Sequence, residues 1–290
     1  MAKVAFIGLG VMGFPMAGHL AAGGHEVTVY NRNPARAAAW LGQHQGKSAA
    51  TPAAAAAGAQ FVFTCIGNDN DLYQVILEEG GLLSSMAPGS VLIDHTTASA
   101  EAARTIHAAA REKGVFFLDA PVSGGQAGAE NGKLTVMVGG DEEAYVRAEA
   151  VIALFARAVT YMGVSGSGQL TKMVNQICIA GLVQALSEGI AFAENAGLDA
   201  GRVVDVIAKG AAQSWQLENR GKTMIERQFD FGFAVDLMRK DLGICIAEAR
   251  RNGSDLPVTE LTDQFYSEVQ QAGGNRYDTS SLITRLNKKK

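Results

Sequence analysis

The most constraining feature of the chain is the segment Gly8-Leu9-Gly10-Val11-Met12-Gly13, which follows the apolar run VAFIG (4–8) and opens a stretch of helical character. Three glycines at these offsets, set between a strand and a helix, specify a strand–turn–helix unit whose backbone comes close to a dinucleotide. Gly8 permits the tight turn. Gly10 leaves room for a pyrophosphate against the N–H groups at the helix start, and Gly13 lets helix and strand pack closely. Further runs of strand length continue the pattern: EVTVY (26–30), FVFTCI (61–66), VLID (91–94), VFFLDA (115–120) and LTVMVGG (134–140). They are almost continuously apolar, as expected for strands of a parallel sheet covered by helices on both faces. Thr51-Pro52, and Ser99 ahead of Glu101, supply helix starts between them. The expectation is an α/β fold with an N-terminal Rossmann-type doubly wound sheet over residues 1–162.

Beyond about Tyr161 the strand signal stops, and helices are expected over 166–196, 199–210, 233–251 and 256–271. Residues 163–290 therefore read as an all-helical substrate and oligomerisation domain, joined to the first by the long helix. That helix is apolar nearly all round from Ile177 to Phe192, which calls for burial against a partner helix or subunit. A homo-oligomer follows. The basic tail Lys288 to Lys290 reads as solvated chain end.

Composition narrows the classes of partner. With Lys+Arg 25 and Asp+Glu 29 the net charge is −4, so no global positive field exists to hold nucleic acid or an anionic membrane. Cys65, Cys178 and Cys245 are far apart and sit in apolar runs, the pattern of buried free thiols in a reducing compartment; neither a disulfide framework nor a metal site is expected. Val4 to His25 lacks any Asp, Glu, Lys or Arg, yet its glycines and Pro15 make a poor membrane helix, and no other segment reads as a span. A cytoplasmic protein is expected.

Three further segments carry candidate chemistry. EVTVY ends at Asn31-Arg32-Asn33, where an NAD-preferring site usually places Asp or Glu on the ribose hydroxyls. Without that acid, Asn31 can hydrogen-bond to a 2′-phosphate and Arg32 can pair with it, so NADP(H) is the preferred cofactor, with NAD(H) possible. The segment Asp119-Ala120-Pro121-Val122-Ser123-Gly124-Gly125 follows a strand, and Ser123 with the Gly124 and Gly125 N–H groups is a candidate nest for a carboxylate. Finally, Gly166-Ser167-Gly168-Gln169-Leu170-Thr171-Lys172-Met173-Val174-Asn175 opens the long helix, placing Lys172 and Asn175 on one face, with Lys172 turned into the cleft between the domains.

FIGLGVMGFPMA, DAPVSGG, GSGQLTKMVNQ and LMRKDLGICIAEA, in this order and spanning nearly the whole chain, resemble the β-hydroxyacid dehydrogenase family. That family contains 3-hydroxyisobutyrate dehydrogenases, tartronate semialdehyde reductases and glyoxylate/succinic semialdehyde reductases. The resemblance implies hydride transfer at a cleft between a Rossmann and an all-α domain, and dimers or tetramers. It further implies that the glycine loop binds pyrophosphate, with Thr97 beside the cofactor and Ile66-Gly67 on its adenosine side. By the same carry-over, Ser123, Gly124 and Gly125 hold a substrate carboxylate, Lys172 is the catalytic residue, Asn175 orients the substrate, and Lys240 closes over the nicotinamide end. Two departures stand out: Ile66-Gly67 replaces the family's common Leu-Pro, and Asn31-Arg32 replaces the acid of NAD-specific members. The expected activity is an NADP(H)-dependent interconversion of a small β- or ω-hydroxy acid and its semialdehyde, Lys172 giving and taking the proton. Alternatives are an NAD-dependent 3-hydroxyisobutyrate or serine dehydrogenase and, in another class, a non-catalytic NADP(H)-binding module. An imine reductase is disfavoured because Lys172 is kept.

Overall fold

The computed structural model describes residues 1–286; the tail Lys288 to Lys290, read as solvated chain end, lies outside them. The chain alternates strand and helix: β1 (Lys3–Ile7), α1 (Gly13–Ala22), β2 (Glu26–Tyr30), α2 (Pro34–Leu41), β3 (Lys47–Ser48), α3 (Pro52–Ala56), β4 (Phe61–Thr64), α4 (Asp69–Ile76), β5 (Val91–Asp94), α5 (Ala100–Glu112) and β6 (Phe116–Asp119). Next come β7 (Val122–Ser123), α6 (Gly125–Glu130), β8 (Leu134–Gly140), α7 (Glu142–Ile152) and β9 (Ala156–Gly163). The nine strands form one sheet in the order β3-β2-β1-β4-β5-β6-β8-β7, with β9 on the free side of β8. Strands β1 to β6 are mutually parallel. The chain moves outward on one side of β1 and returns to its other side with β4, so the loop after β1 lies at the point where strand order reverses, the place where open α/β sheets take ligands.

Strand register aligns the ends that matter. Ile7 lies opposite both Tyr30 and Thr64, Thr64 opposite Asp94, and Asp94 opposite Asp119, so these residues form one row across the sheet. Every loop singled out from the sequence in this domain leaves from that row or just beyond it. Alternation along β1 sends Phe6 to one face, against Trp40, Phe63 and Phe155, and Ile7 to the other, against Leu72, Leu92 and Phe117. Both faces are thus apolar, which is why the strands read as continuous runs.

LTVMVGG does not continue the parallel sheet, since β8 runs antiparallel to β6 and β7. The connection from β6 holds only the two-residue β7 and the six-residue α6, too little for a crossover helix packed along the sheet. β3, β7 and β9 escaped the sequence reading. The first two are only two residues long, and β9 carries Arg157 and Thr160 on exposed positions, as an edge strand does.

The compact units are Met1–Lys172 and Met173–Lys290, a division that falls later than the 162/163 partition read from the sequence and inside α8 (Ser167–Asn195). The first turns of α8 belong to the sheet domain because Asp119 holds them, as described below. In the second unit α9 (Ala200–Ile207), α10 (Trp215–Ile225), α11 (Val235–Asn252) and α12 (Pro257–Gln271) complete a helical bundle with the rest of α8. Ala180 and Val183 of α8 pack with Val235, Met238, Leu242 and Tyr266. α10 is not among the helices expected from the sequence, because its polar face hides the apolar period. Ser214 caps it by accepting the Leu217 N–H at 3.1 Å, and Gly221 lets it approach α9, where a Cβ would stand 2.9 Å from Val204.

Two readings of the apolar segments need correction. α8 does have the length and composition to cross a membrane, whereas the sequence reading denied this to every segment beyond the N-terminus; one face of the helix is instead packed into the bundle core. Its opposite face is exposed at Val174, Cys178, Leu182 and Phe192, so of the three cysteines Cys245 is buried, Cys65 half-buried and Cys178 exposed.

Candidate active site

The glycine loop is built by close contact. Gly8 has φ +98°, and a Cβ there would stand 2.2 Å from the Cys65 carbonyl oxygen on β4's extension. A Cβ on Gly13 would stand 1.9 Å from the Gly8 carbonyl oxygen, which excludes any side chain where α1 crosses β1. A Cβ on Gly10 would meet nothing within 4 Å, so the backbone there faces open space. α1 has neither a capping side chain nor an acid in its first turn, leaving its N-terminal N–H groups for an anion. Leu9, by contrast, is buried and its N–H donates to Asn31 Oδ1 at 2.8 Å.

That bond gives Asn31 a part other than the one expected. Its Oδ1 holds Leu9, its Nδ2 donates to the Asn33 carbonyl at 3.0 Å, and the Asn33 side chain caps α2 by accepting the Ala35 N–H. The amide shapes the loop, and the Arg32 side chain extends into solvent. Arg32 is 86% exposed and stands 3.5 Å from Asp71 Oδ1, so an acid does face it, arriving from α4 rather than from the end of β2. Gly67 makes room for this carboxylate: a Cβ there would lie 2.1 Å from Asp71 Oδ2. The Ile66-Gly67 departure and the position of Asp71 are one structural fact. Asn68, which caps α4 by accepting the Asp71 N–H at 3.1 Å, was the signal in the sequence that could have found it.

Beyond β4 the loops are joined by buried polar bonds. The Ile66 N–H donates to Thr96 Oγ1 at 3.0 Å, and Asp94 Oδ1 accepts from Thr64 Oγ1 at 2.7 Å and from the Thr96 N–H at 3.0 Å. Burial pushes the Asp94 carboxyl up to about 7 despite these hydrogen bonds, and the charge of Asp119 adds to the rise. His95 lies stacked on Phe63 and edge-on to Phe155, its Nδ1 donating to the Ala120 carbonyl at 2.6 Å; burial lowers it to about 4, so the ring is neutral. Thr97, expected beside the cofactor, follows directly.

Ser123 is half-buried at the end of β7, and Gly124 and Gly125 have φ of +132° and +60°. Two successive positive φ values turn the backbone outward, and over Gly125 nothing lies within 4 Å.

The start of α8 is fastened to the sheet by Asp119. This fully buried carboxylate accepts the Gly166 N–H on Oδ1 at 2.8 Å and the Gln169 N–H on Oδ2 at 2.9 Å. Burial raises its pKa to about 6, opposed by those same N–H groups. Gly168 is obligatory, since a Cβ would stand 2.4 Å from the Asp119 carbonyl oxygen and 2.5 Å from that of Met137. One turn later Lys172 is 8% exposed, buried for a lysine. In the second unit Asn175 Nδ2 donates to Gln176 Oε1 at 2.8 Å, Gln176 Nε2 donates to the buried Asp241 Oδ2 at 2.6 Å, and Lys240 Nζ lies 3.2 Å from Asp241 Oδ1. Asn175, expected to orient the substrate, and Lys240, expected to close over the nicotinamide end, are thus joined by Gln176 and Asp241, neither of which the sequence singled out. Trp215 and Phe231 are partly exposed and flank the Arg220 guanidinium at 4.9 Å each.

Residues 3–163 match the family described as the NAD binding domain of 6-phosphogluconate dehydrogenase, and residues 166–286 the NAD-binding domain of NADP-dependent 3-hydroxyisobutyrate dehydrogenase. An uncharacterized oxidoreductase of Shewanella frigidimarina is 63% identical over 99% of both chains. The 2-hydroxy-3-oxopropionate reductase of Escherichia coli is 34% identical over 98% of this chain and 97% of its own. Among solved structures, Mycobacterium tuberculosis 3-hydroxyisobutyrate dehydrogenase with L-serine superposes with a TM-score of 0.89 at 31% identity, covering 99% of each chain.

Proposed function

Because the chain belongs to the β-hydroxyacid dehydrogenase family and is an NAD(P)-dependent oxidoreductase acting on CH–OH donors, we propose that it interconverts a small β- or ω-hydroxy acid and its semialdehyde, with NADP(H) preferred and Lys172 as proton donor and acceptor. The observation that carries this is the buried Lys172 one turn beyond Gly168, on a helix start held by Asp119 at the carboxyl end of the parallel strands. Ligands of open α/β sheets collect at that end. The N–H groups around Gly10 fit the pyrophosphate, because no side chain fills the space over them. Arg32 fits a 2′-phosphate. When bound, the nicotinamide supplies or takes the hydride, chemistry that no side chain of the chain provides.

The chain's own residues do the rest. As ammonium, Lys172 gives its proton to the aldehyde oxygen; in the oxidative direction the neutral amine takes the proton from the hydroxyl. Ser123, Gly124 and Gly125 hold the substrate carboxylate on their N–H groups and hydroxyl, and Asn175 orients the reacting end. Small acids such as glyoxylate, tartronate semialdehyde, methylmalonate semialdehyde and succinic semialdehyde fit such a site. The exposed stripe Val174, Cys178, Leu182 and Phe192 on α8 supports a homodimer or homotetramer, and three cysteines outside any disulfide support a reducing, cytoplasmic setting.

Lys172→Ala should lower kcat by about 10²–10⁴-fold while NADPH binding, followed by its fluorescence, changes little. Near-wild-type turnover would remove Lys172 from the mechanism. Lys172→Arg should fail as well, because a guanidinium does not deprotonate. For the substrate class, an uncharged aldehyde matched in length to succinic semialdehyde should lose kcat as well as affinity, and Ser123→Ala should narrow that gap. Equal efficiency for both aldehydes would reduce the Ser-Gly-Gly segment to a turn. A second reading, an NAD-dependent 3-hydroxyisobutyrate or serine dehydrogenase, has one observation in its favour: Asp71 beside Arg32 opposes a 2′-phosphate.

A further inference from the structure

Gln169 is 1% exposed, and its side-chain amide brackets Thr97 from both sides: Nε2 donates to the Thr96 carbonyl at 2.7 Å while Oε1 accepts the Ala98 N–H at 3.1 Å. Its backbone N–H is the one that Asp119 Oδ2 holds. The loop it grips is itself fixed, through Thr96, to Asp94 and to the Ile66 N–H. An unbroken chain of bonds therefore runs from the loop after β4, through the loop after β5, to the first turn of α8. Lys172 stands three residues after Gln169 and so on the same face of the helix.

We infer that Gln169 is a positioning residue that sets Lys172 in register with the Thr96–Ala98 loop beside the cofactor, so that the proton donor and the cofactor seat cannot shift independently. The residue type is diagnostic. A side-chain amide donates to a carbonyl and accepts from an N–H two residues apart at any pH; ionised glutamate accepts only, leucine does neither, and asparagine is a methylene too short. Register matters because a misplacement of about 1 Å in a reacting geometry costs on the order of 10²-fold in rate. The inference rests on Lys172 as the proton donor, and its test separates the two.

The experiment is a double-mutant cycle in the full-length enzyme, with NADPH and whichever of glyoxylate, tartronate semialdehyde or succinic semialdehyde is turned over fastest. Gln169→Leu should lower kcat by roughly 10–10²-fold with KM for NADPH changed by less than about threefold. In the Lys172→Ala background the same substitution should cost less than about twofold more, because its effect travels through Lys172. The same loss in both backgrounds, or none in the single variant, overturns the positioning role while leaving Lys172 in place. Near-wild-type activity of Lys172→Ala alone sinks the proton-donor assignment and the inference with it. Gln169→Glu guards against misfolding: it keeps the shape, and once protonated it again carries a donor and an acceptor. Its kcat relative to wild type should therefore climb as pH falls; a ratio independent of pH counts against the clamp.

Discussion

Two side-chain amides tie backbone segments together in the sheet domain, and they differ in depth. Asn31 joins the glycine loop to the end of β2 at the half-exposed rim, beside an exposed ion pair between Arg32 and Asp71. Gln169 joins the loop after β5 to the start of α8 in the interior, beside Asp94, His95 and Asp119. At the rim, water competes for every donor and acceptor, so changes there adjust affinity. In the interior a lost partner leaves a bare polar group in low dielectric, at about 1–3 kcal/mol each, so changes there alter stability and geometry.

The sharpest way to break this comparison is at its deepest point. Asp119→Ala removes the acceptor of the Gly166 and Gln169 N–H groups, which should cost roughly 2–5 kcal/mol and lower Tm by about 5–15 °C. Asn31→Ala should cost well under half of that. Equal losses in thermal denaturation would mean that depth is not the deciding variable.

The buried carboxyls also make the interior sensitive to pH. Asp94 in the fold titrates at about 7 against 3.8 ordinarily, so the folded chain binds its proton more tightly than the unfolded chain. That contribution is complete below about pH 4 and is lost as pH rises through about 7. His95 acts with opposite sign, since its folded value of about 4 lies below 6.5 and its contribution is lost as pH falls through that range. Asp94→Asn removes only the first effect, so denaturant titrations should find the variant gaining on wild type as pH climbs toward neutrality. A constant difference across that range would show that burial does not govern Asp94.

Rim substitutions should act on the cofactor rather than on the fold. Arg32→Ala is expected to lower kcat/KM for NADPH about tenfold, or about 1.4 kcal/mol, and that for NADH about twofold or less. Equal losses with both cofactors would detach Arg32 from the 2′-phosphate. The smallest effect belongs to its neighbour: Asp71→Asn should raise kcat/KM for NADPH by about twofold at low salt, an increment that fades as salt screens the exposed pair. A gain that persists at high salt would require a cause other than charge.

The local geometry of the candidate site was legible along the chain where its parts are close in sequence. Gly8, Gly10 and Gly13 mark a turn, an open face and a contact that depend only on neighbouring strand and helix, so their spacing carries their purpose. Gly166, Gly168 and Lys172 share a few residues of one helix start in the same way. Asp71 and Asp119 were not legible in their actual parts. Asp71 faces Arg32 from 39 positions further along, and Asp119 looks like the end of a strand until its side chain is seen on α8. Gln176 and Asp241 share that character, being 65 positions apart and joined only by folding.

By itself, then, the sequence determined the doubly wound sheet, the glycine loop and the order of the two domains, because apolar period, turn chemistry and glycine spacing act between residues close in the chain. The tertiary structure alone decided that β8 runs antiparallel, that an acid faces Arg32, and that Asp119 and Gln169 fasten the helix carrying Lys172 to the sheet. Those features depend on which strand ends share one row, and strand register is set by the packing of both apolar faces at once rather than by any local run of residues.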